Sequence, residues 1–132
     1  MLIVVEGEVV PKGRARITRS GIAYTPKKTR DYENKLAFFA AEVMKDSPLL
    51  EGPLWVCVRV SVSIPESWSK KKRALALAGE IKPIGRPDLD NYIKILDALN
   101  GIVWKDDSQI VEISAFKYYG EKPRLFVDID SV

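Results

Sequence analysis

The sequence predicts an α+β fold, with helices packed on a mixed sheet, in a single domain spanning residues 1–132. Three observations carry that reading. β-Branched, alternating stretches recur at residues 2–10, 54–64, 110–118 and 124–129. Apolar residues recur at three- and four-residue spacing between 26 and 45 and again between 90 and 99. The resulting order is strand, hairpin-like loop, helix, strand, helix, helix, strand, strand, which lacks the strict alternation of an α/β protein.

The first strand carries glutamates at 6 and 8, which give it a wet face, and Pro11-Lys12-Gly13 breaks it. Ser20-Gly21, between Arg16-Ile17-Thr18 and Ile22-Ala23-Tyr24, is the expected tip of a basic hairpin or ordered loop. Thr25 is placed to cap a helix whose first residue is Pro26, where a missing N–H is harmless. Tyr32, Leu36, Phe39, Ala40, Val43 and Met44 then form its apolar face, up to about Lys45. Asp46-Ser47-Pro48 and Gly52-Pro53 mark a loop, and residues 54–64 form a central strand ended by Pro65. Ser67 or Ser69 caps a shorter helix through Leu77, and Gly79 stops it. A turn-rich lead, Pro83-Ile84-Gly85-Arg86-Pro87, precedes a helix from Asp90 to Leu99 closed by Asn100-Gly101. The last two strands, joined across residues 120–123, read as a hairpin.

Composition narrows the function. A chain of 132 residues, 46% hydrophobic and 30% charged, suits one modest core. No apolar run approaches the roughly 20 residues of a membrane span, and the N-terminus has no signal-peptide pattern, so a soluble intracellular protein with no membrane partner is expected. Cys57 has no second cysteine to pair with and reads as a buried strand thiol. With no histidine, Ser-His-Asp and Cys-His systems and histidine-ligated zinc are excluded, which leaves carboxylates and lysines for any catalysis.

The net charge of +3 becomes informative once it is mapped along the chain. Lys12, Arg14, Arg16, Arg19, Lys27, Lys28, Arg30 and Lys35 face only Asp31 and Glu33 across residues 11–35. Lys70-Lys71-Lys72-Arg73 form a second run, followed by Lys82 and Arg86. Acids gather later, at Asp88, Asp90, Asp97, Asp106, Asp107 and Glu112. Two basic runs framing an acidic cluster, with Tyr24 and Trp68 nearby for stacking, point to a polyanionic partner.

In the stretch 86–100, helical spacing at about 100° per residue puts Asp90, Lys94 and Asp97 on one arc and Tyr92, Ile95, Leu96 and Leu99 on the other. Asp88 sits just before, and an extended Asp-x-Asp directs both carboxylates to the same side. Carboxylates aimed at one point repel unless a cation lies between them, and hard cations such as Mg²⁺ take such oxygens. A plainer reading stands beside this one: an aspartate N-cap, an ordinary Asp90–Lys94 side-chain pair, and Asp106-Asp107 shaping a turn.

The ordered set Pro87-Asp88-Leu89-Asp90-Asn91-x-x-Lys94, Asp97-Ala98-Leu99-Asn100-Gly101 and Trp104-Lys105-Asp106-Asp107-Ser108-Gln109-Ile110 resembles the RusA family of Holliday junction resolvases. The match runs from Arg86 to about Glu112, about a fifth of the chain by the family's motif spacing. The resemblance implies a RusA-like fold and a cytoplasmic, bacterial or phage-encoded endodeoxyribonuclease that acts in DNA recombination and repair. It implies Mg²⁺ as cofactor, with Mn²⁺ able to substitute and no organic cofactor. The implied partner is branched four-way DNA, bound by a homodimer that makes paired symmetric nicks. Residue by residue it gives Asp88 and Asp90 as metal ligands, Lys94 as the catalytic lysine and Asp107 as the third essential aspartate, with Asp106 as a second-tier acid. Phosphates would be met by Arg14, Arg16, Arg19, Lys27, Lys28, Lys70, Lys71, Lys72, Arg73 and Arg86. The rival readings are a general structure-selective nuclease, a non-catalytic basic DNA-binding module, and a carboxylate acid/base hydrolase of small substrates.

Overall fold

The computed structural model describes residues 1–132. Four strands make one mixed sheet. At one edge lies β1 (Leu2–Glu6), followed by β6 (Arg124–Ser131), β4 (Leu54–Ser63) and, at the other edge, β5 (Ile110–Gly120). β1 and β6 pair antiparallel, as do β6 and β4, whereas β4 and β5 run parallel. Val127 stands opposite both Ile3 and Val58, and Val58 opposite Ala115. The two-residue period therefore brings Ile3, Val5, Val56, Val58, Val60, Leu125, Val127 and Ile129 to one face, all buried. The long helix α1 (Lys27–Met44) and residues 89–99 cover that face and complete one continuous core with Leu36, Ala40, Ile95, Leu99 and Trp104. This is the α+β architecture expected from the sequence.

Helix α1 departs from expectation in two ways. Pro26 occupies the N-cap position with no side-chain cap, so Thr25 does not close the helix end. The buried stripe is Thr29, Tyr32, Leu36, Ala40 and Met44. Phe39 and Val43, expected on that face, are instead 36% and 43% exposed. The small hairpin of β2 (Arg16–Ile17) and β3 (Ala23–Tyr24) forms around Ser20-Gly21 as expected. Ser69 caps α2 (Lys70–Leu77) by accepting from the Lys72 amide. Gly79, at φ +80°, ends α2 with the Glu80 amide bonded back to the Leu75 carbonyl, a conformation that favours glycine. No helix is long and apolar enough to cross a membrane.

The helix expected from Asp90 to Leu99 is split into α3 (Leu89–Ile93) and a 3₁₀ segment (Lys94–Leu99). A 3₁₀ turn eclipses residues three apart, which lines up Ile93, Leu96 and Leu99 towards the core.

The last two strands do not form a hairpin; they flank β4 on either side. Two strand spacings come to about 10 Å, within reach of the four Cα steps of about 3.8 Å that cross residues 121–123. Ser61 on β4 fastens the crossing by donating from its hydroxyl to the Lys122 carbonyl at 2.7 Å. The chain passes so closely that a Cβ at Gly120 would overlap Ser61 Oγ and stand 3.3 Å from Ser61 Cβ. Gly120→Ala is therefore expected to destabilise by about 1–3 kcal/mol. In Ser61→Ala, which removes the overlapped hydroxyl, the same change is expected to cost clearly less, as a double-mutant cycle in urea will read.

Candidate active site

Because β4 and β5 are parallel, the chain must cross back between them, and residues 64–109 of this crossover carry α2, α3 and every acid of the motif. One wall of a cleft of about 1190 Å³ is built from this crossover: Arg86, Asp88, Asp90, Lys94, Asp97 and Asp107. The facing wall is Pro11, Lys12, Gly13 and Arg14, from the loop after β1. The structure thus brings Asp88, Asp90, Lys94 and Asp107 to one opening.

Each side chain has an identifiable mount. Asp88 is extended at the N-cap position of α3, where its main-chain carbonyl accepts from the Asn91 amide while its side chain makes no cap bond. Asp90 lies in the first turn, and Lys94 Nζ stands 3.7 Å from Asp90 Oδ2 and 3.4 Å from Asn91 Oδ1. Asp107 opens a short 3₁₀ turn (Asp107–Gln109) capped by Asp106, whose carboxylate accepts from the Ser108 amide at 3.0 Å. The side chain and amide of Ser108 hold the Asp106 carboxyl below its ordinary range. Asp106 is a capping group and does not border the cleft. Gln109 completes the bracket: its Oε1 accepts from the Lys105 and Asp106 amides, and its Nε2 donates to the Leu50 and Gly52 carbonyls. Trp104, fully buried, donates from its indole to Asn100 Oδ1 at 2.7 Å. Much of the motif is scaffold for Asp107.

The carboxylates of Asp88 and Asp107 have no hydrogen bond or ion pair, so both are free to accept a ligand. They are hard oxygen donors of the kind that Mg²⁺ or Mn²⁺ selects. They border one cleft without closing into a ready cradle: no three acidic, histidine or cysteine side chains lie close enough together to hold an ion as they stand.

The basic residues divide. Arg14 and Arg86 line the cleft. Arg14, Arg16 and Lys28 line a second hollow of about 410 Å³ that shares Pro11, Gly13 and Arg14 with the first, so a basic path leads from the acids towards the small hairpin. Arg19 is exposed at that hairpin's turn, and Lys27 pairs with Asp31 at 3.8 Å. Lys70, Lys71, Lys72 and Arg73 on α2 line neither hollow. Lys72 sits over the Trp68 ring at 3.9 Å, Trp68 packs edge-on against Tyr119 at 5.2 Å, and Arg73 donates to the Pro65 carbonyl. Trp68 therefore ties α2 to β5, and Lys72 covers one face of its ring.

One cluster in the wall was not singled out by sequence. The Lys12 amide donates to the Asn91 carbonyl, and its ammonium bonds Asp97 Oδ2 at 2.5 Å and lies 3.4 Å from Glu33. Burial alone would lower the Lys12 ammonium, but the bond to Asp97 and the charges of Glu33 and Asp97 outweigh it and hold it above its usual value. The Glu33 carboxyl is pushed up by burial; nearby Lys12 opposes this, but Asp97 adds to the rise. Asp97 Oδ1 is buried without a donor. Between its ordinary 4.5 and its raised folded value, the Glu33 carboxyl is protonated in the folded chain while it is ionised in the unfolded one. Its stabilisation is complete below the ordinary value and is lost as pH rises through the folded value. Glu33→Gln is expected to flatten this decline, with urea midpoints at mildly acidic pH close to the parent's and midpoints at neutral pH higher than the parent's.

Comparison with known proteins agrees with this geometry. The family model for Endodeoxyribonuclease RusA matches residues 6–130. The chain is also 37% identical over 134 residues to the uncharacterized protein YqaN of Bacillus subtilis (strain 168), covering 97% of this chain and 94% of that protein. With nearly the whole chain matched and its motif gathered at one cleft, the protein belongs to the RusA family of Holliday junction endodeoxyribonucleases, hydrolases of phosphodiester bonds.

Proposed function

We propose that this chain resolves four-way DNA junctions by Mg²⁺-dependent hydrolysis, with Asp88, Asp90 and Asp107 as metal ligands and Lys94 beside the scissile phosphate. RusA nucleases are metal-dependent as a family. The observation that supports the reading is the meeting of Asp88, Asp90, Lys94 and Asp107 at one cleft whose walls also carry Arg14 and Arg86. A bound divalent cation supplies Lewis-acid charge and lowers the pKa of a coordinated water. The residues of the chain do the rest. Lys94 offsets charge as it builds on the phosphoryl oxygens. Asp90 would hold the cation, and the Lys94 ammonium, 3.7 Å from Asp90 Oδ2, would then be available to the phosphate. Arg14 and Arg86 hold the backbone on either side, and Arg16 and Lys28 continue the path of one arm. Two copies related by a two-fold axis match the symmetry of a junction and supply one site for each paired nick. A cytoplasmic location, with access to DNA, belongs to the same reading.

A synthetic four-way junction incubated beside linear duplex and a flap separates the alternatives. Paired cuts on the junction with Mg²⁺ or Mn²⁺, and none with EDTA, are expected. Equal cutting of flaps identifies a general structure-selective nuclease, and no cutting with either ion identifies a binding module. Asp90→Asn is expected to abolish cutting while junction affinity is kept or increased, because acids repel DNA; nicking at the parent's rate by this variant overturns the assignment. Gel-shift titrations across salt concentrations test the basic path. Arg14→Ala and Arg86→Ala are each expected to reduce the salt slope by about 1, and Lys71→Ala by clearly less.

A further inference from the structure

The stretch that carries Asp88 to the cleft has almost nothing of its own to hold it. Pro83 is buried and anchors the near end, but no backbone hydrogen bond joins residues 81–87 to the rest of the chain. Ile84 is 94% exposed, and regular bonding resumes only where the Asp88 carbonyl meets the Asn91 amide. Asp88 does not cap α3 with its side chain, so the helix does not secure it either.

Lys117 is the side chain that bridges this gap. It stands on β5 opposite Val60, and its ammonium donates to the Gly85 carbonyl at 2.7 Å and the Pro87 carbonyl at 3.0 Å. These are the only hydrogen bonds, of main chain or side chain, made by residues 81–87. No carboxylate pairs with Lys117, so its charge is given over to two main-chain oxygens. The two carbonyls bracket Arg86, and the second belongs to the residue bonded to Asp88. An ammonium with three rotatable donors can satisfy two carbonyls at once, and charged donors make the stronger hydrogen bonds.

We propose that Lys117 is a positioning residue, which clamps the Gly85 and Pro87 carbonyls to the sheet and thereby fixes Asp88 and Arg86 at the cleft. Lys117 touches no reacting group; it acts through the main chain, as outer supports of metal ligands do. The consequence for cleavage rests on the proposed function, whereas the clamp itself does not.

The experiment compares the intact protein with Lys117→Met, which keeps the side chain's length without its donors, and Lys117→Arg, which keeps charge and donors. Backbone ¹⁵N order parameters are the primary readout. In Lys117→Met, the order parameters of Gly85, Arg86 and Asp88 are expected to fall from about 0.85, the value of rigid backbone, to below about 0.6, while those of β4 are unchanged, and Lys117→Arg is expected to restore part of the difference. Mn²⁺ binding, followed by electron paramagnetic resonance, is expected to weaken about 10- to 100-fold in Lys117→Met. Junction cleavage at limiting Mg²⁺ is expected to fall by the same factor and to recover in excess Mg²⁺. Unchanged order parameters at residues 85–88, or a fall spread evenly over the sheet, overturns the proposal. Should the parent protein cut no junction, the functional reading fails while the order-parameter comparison still decides the clamp.

Discussion

Parallel pairing of β4 with β5 obliges the chain to travel back along the sheet before it can form the next strand, and the whole acidic motif lies on that journey. A hairpin would have closed in a few residues and left no room for it. The crossover packs Tyr92, Ile95, Leu96 and Leu99 on the core and turns Asp90 and Lys94 to the opening, so one segment serves stability with one face and chemistry with the other. Asp107 arrives just before β5 begins, at the far end of the same connection. The acids are far apart in sequence and near in space because both ends of the crossover are sewn to the sheet.

The second wall comes from the opposite end of the chain. Residues 11–14 are fixed by the Lys12 amide on Asn91, by the Gly13 amide on Thr29 Oγ1 at 3.0 Å, and by the Lys12 ammonium on Asp97. Surface ion pairs contribute little by themselves, but this one shares its cation between two carboxyls, at 2.5 Å and 3.4 Å. It also withdraws Lys12 from the charges available to DNA, so a count of lysines and arginines overstates the positive field at the cleft.

How much of this was legible depended on how local each signal was. Ser69 and Gly79 were readable because a cap and a stop involve only the adjacent turn. Asp88, Asp90, Lys94 and Asp107 were readable as an ordered set, although nothing in their spacing says whether they meet. The β6 partnership was misread because a short connection ordinarily means a hairpin, and the hydroxyl of Ser61 that holds the crossing gives no sign in the sequence. Asp106 and Asp107 look alike as letters, yet only the fold turns one into a cap and the other into a cleft residue. Lys12 and Lys117 could not be told from other lysines, since their partners lie 85 residues away in one case and 30 and 32 in the other.

The origin of the two walls also bears on how such a protein can diversify. None of the bonds that seat residues 11–14 involves Asp88, Asp90 or Asp107. Lengthening or shortening that loop alters the width of the groove, and neither Asp88, Asp90 nor Asp107 has to move. The shape of the entrance and the set of carboxylates behind it thus lie on separate stretches of polypeptide, so an engineer can reshape the one while leaving the other intact.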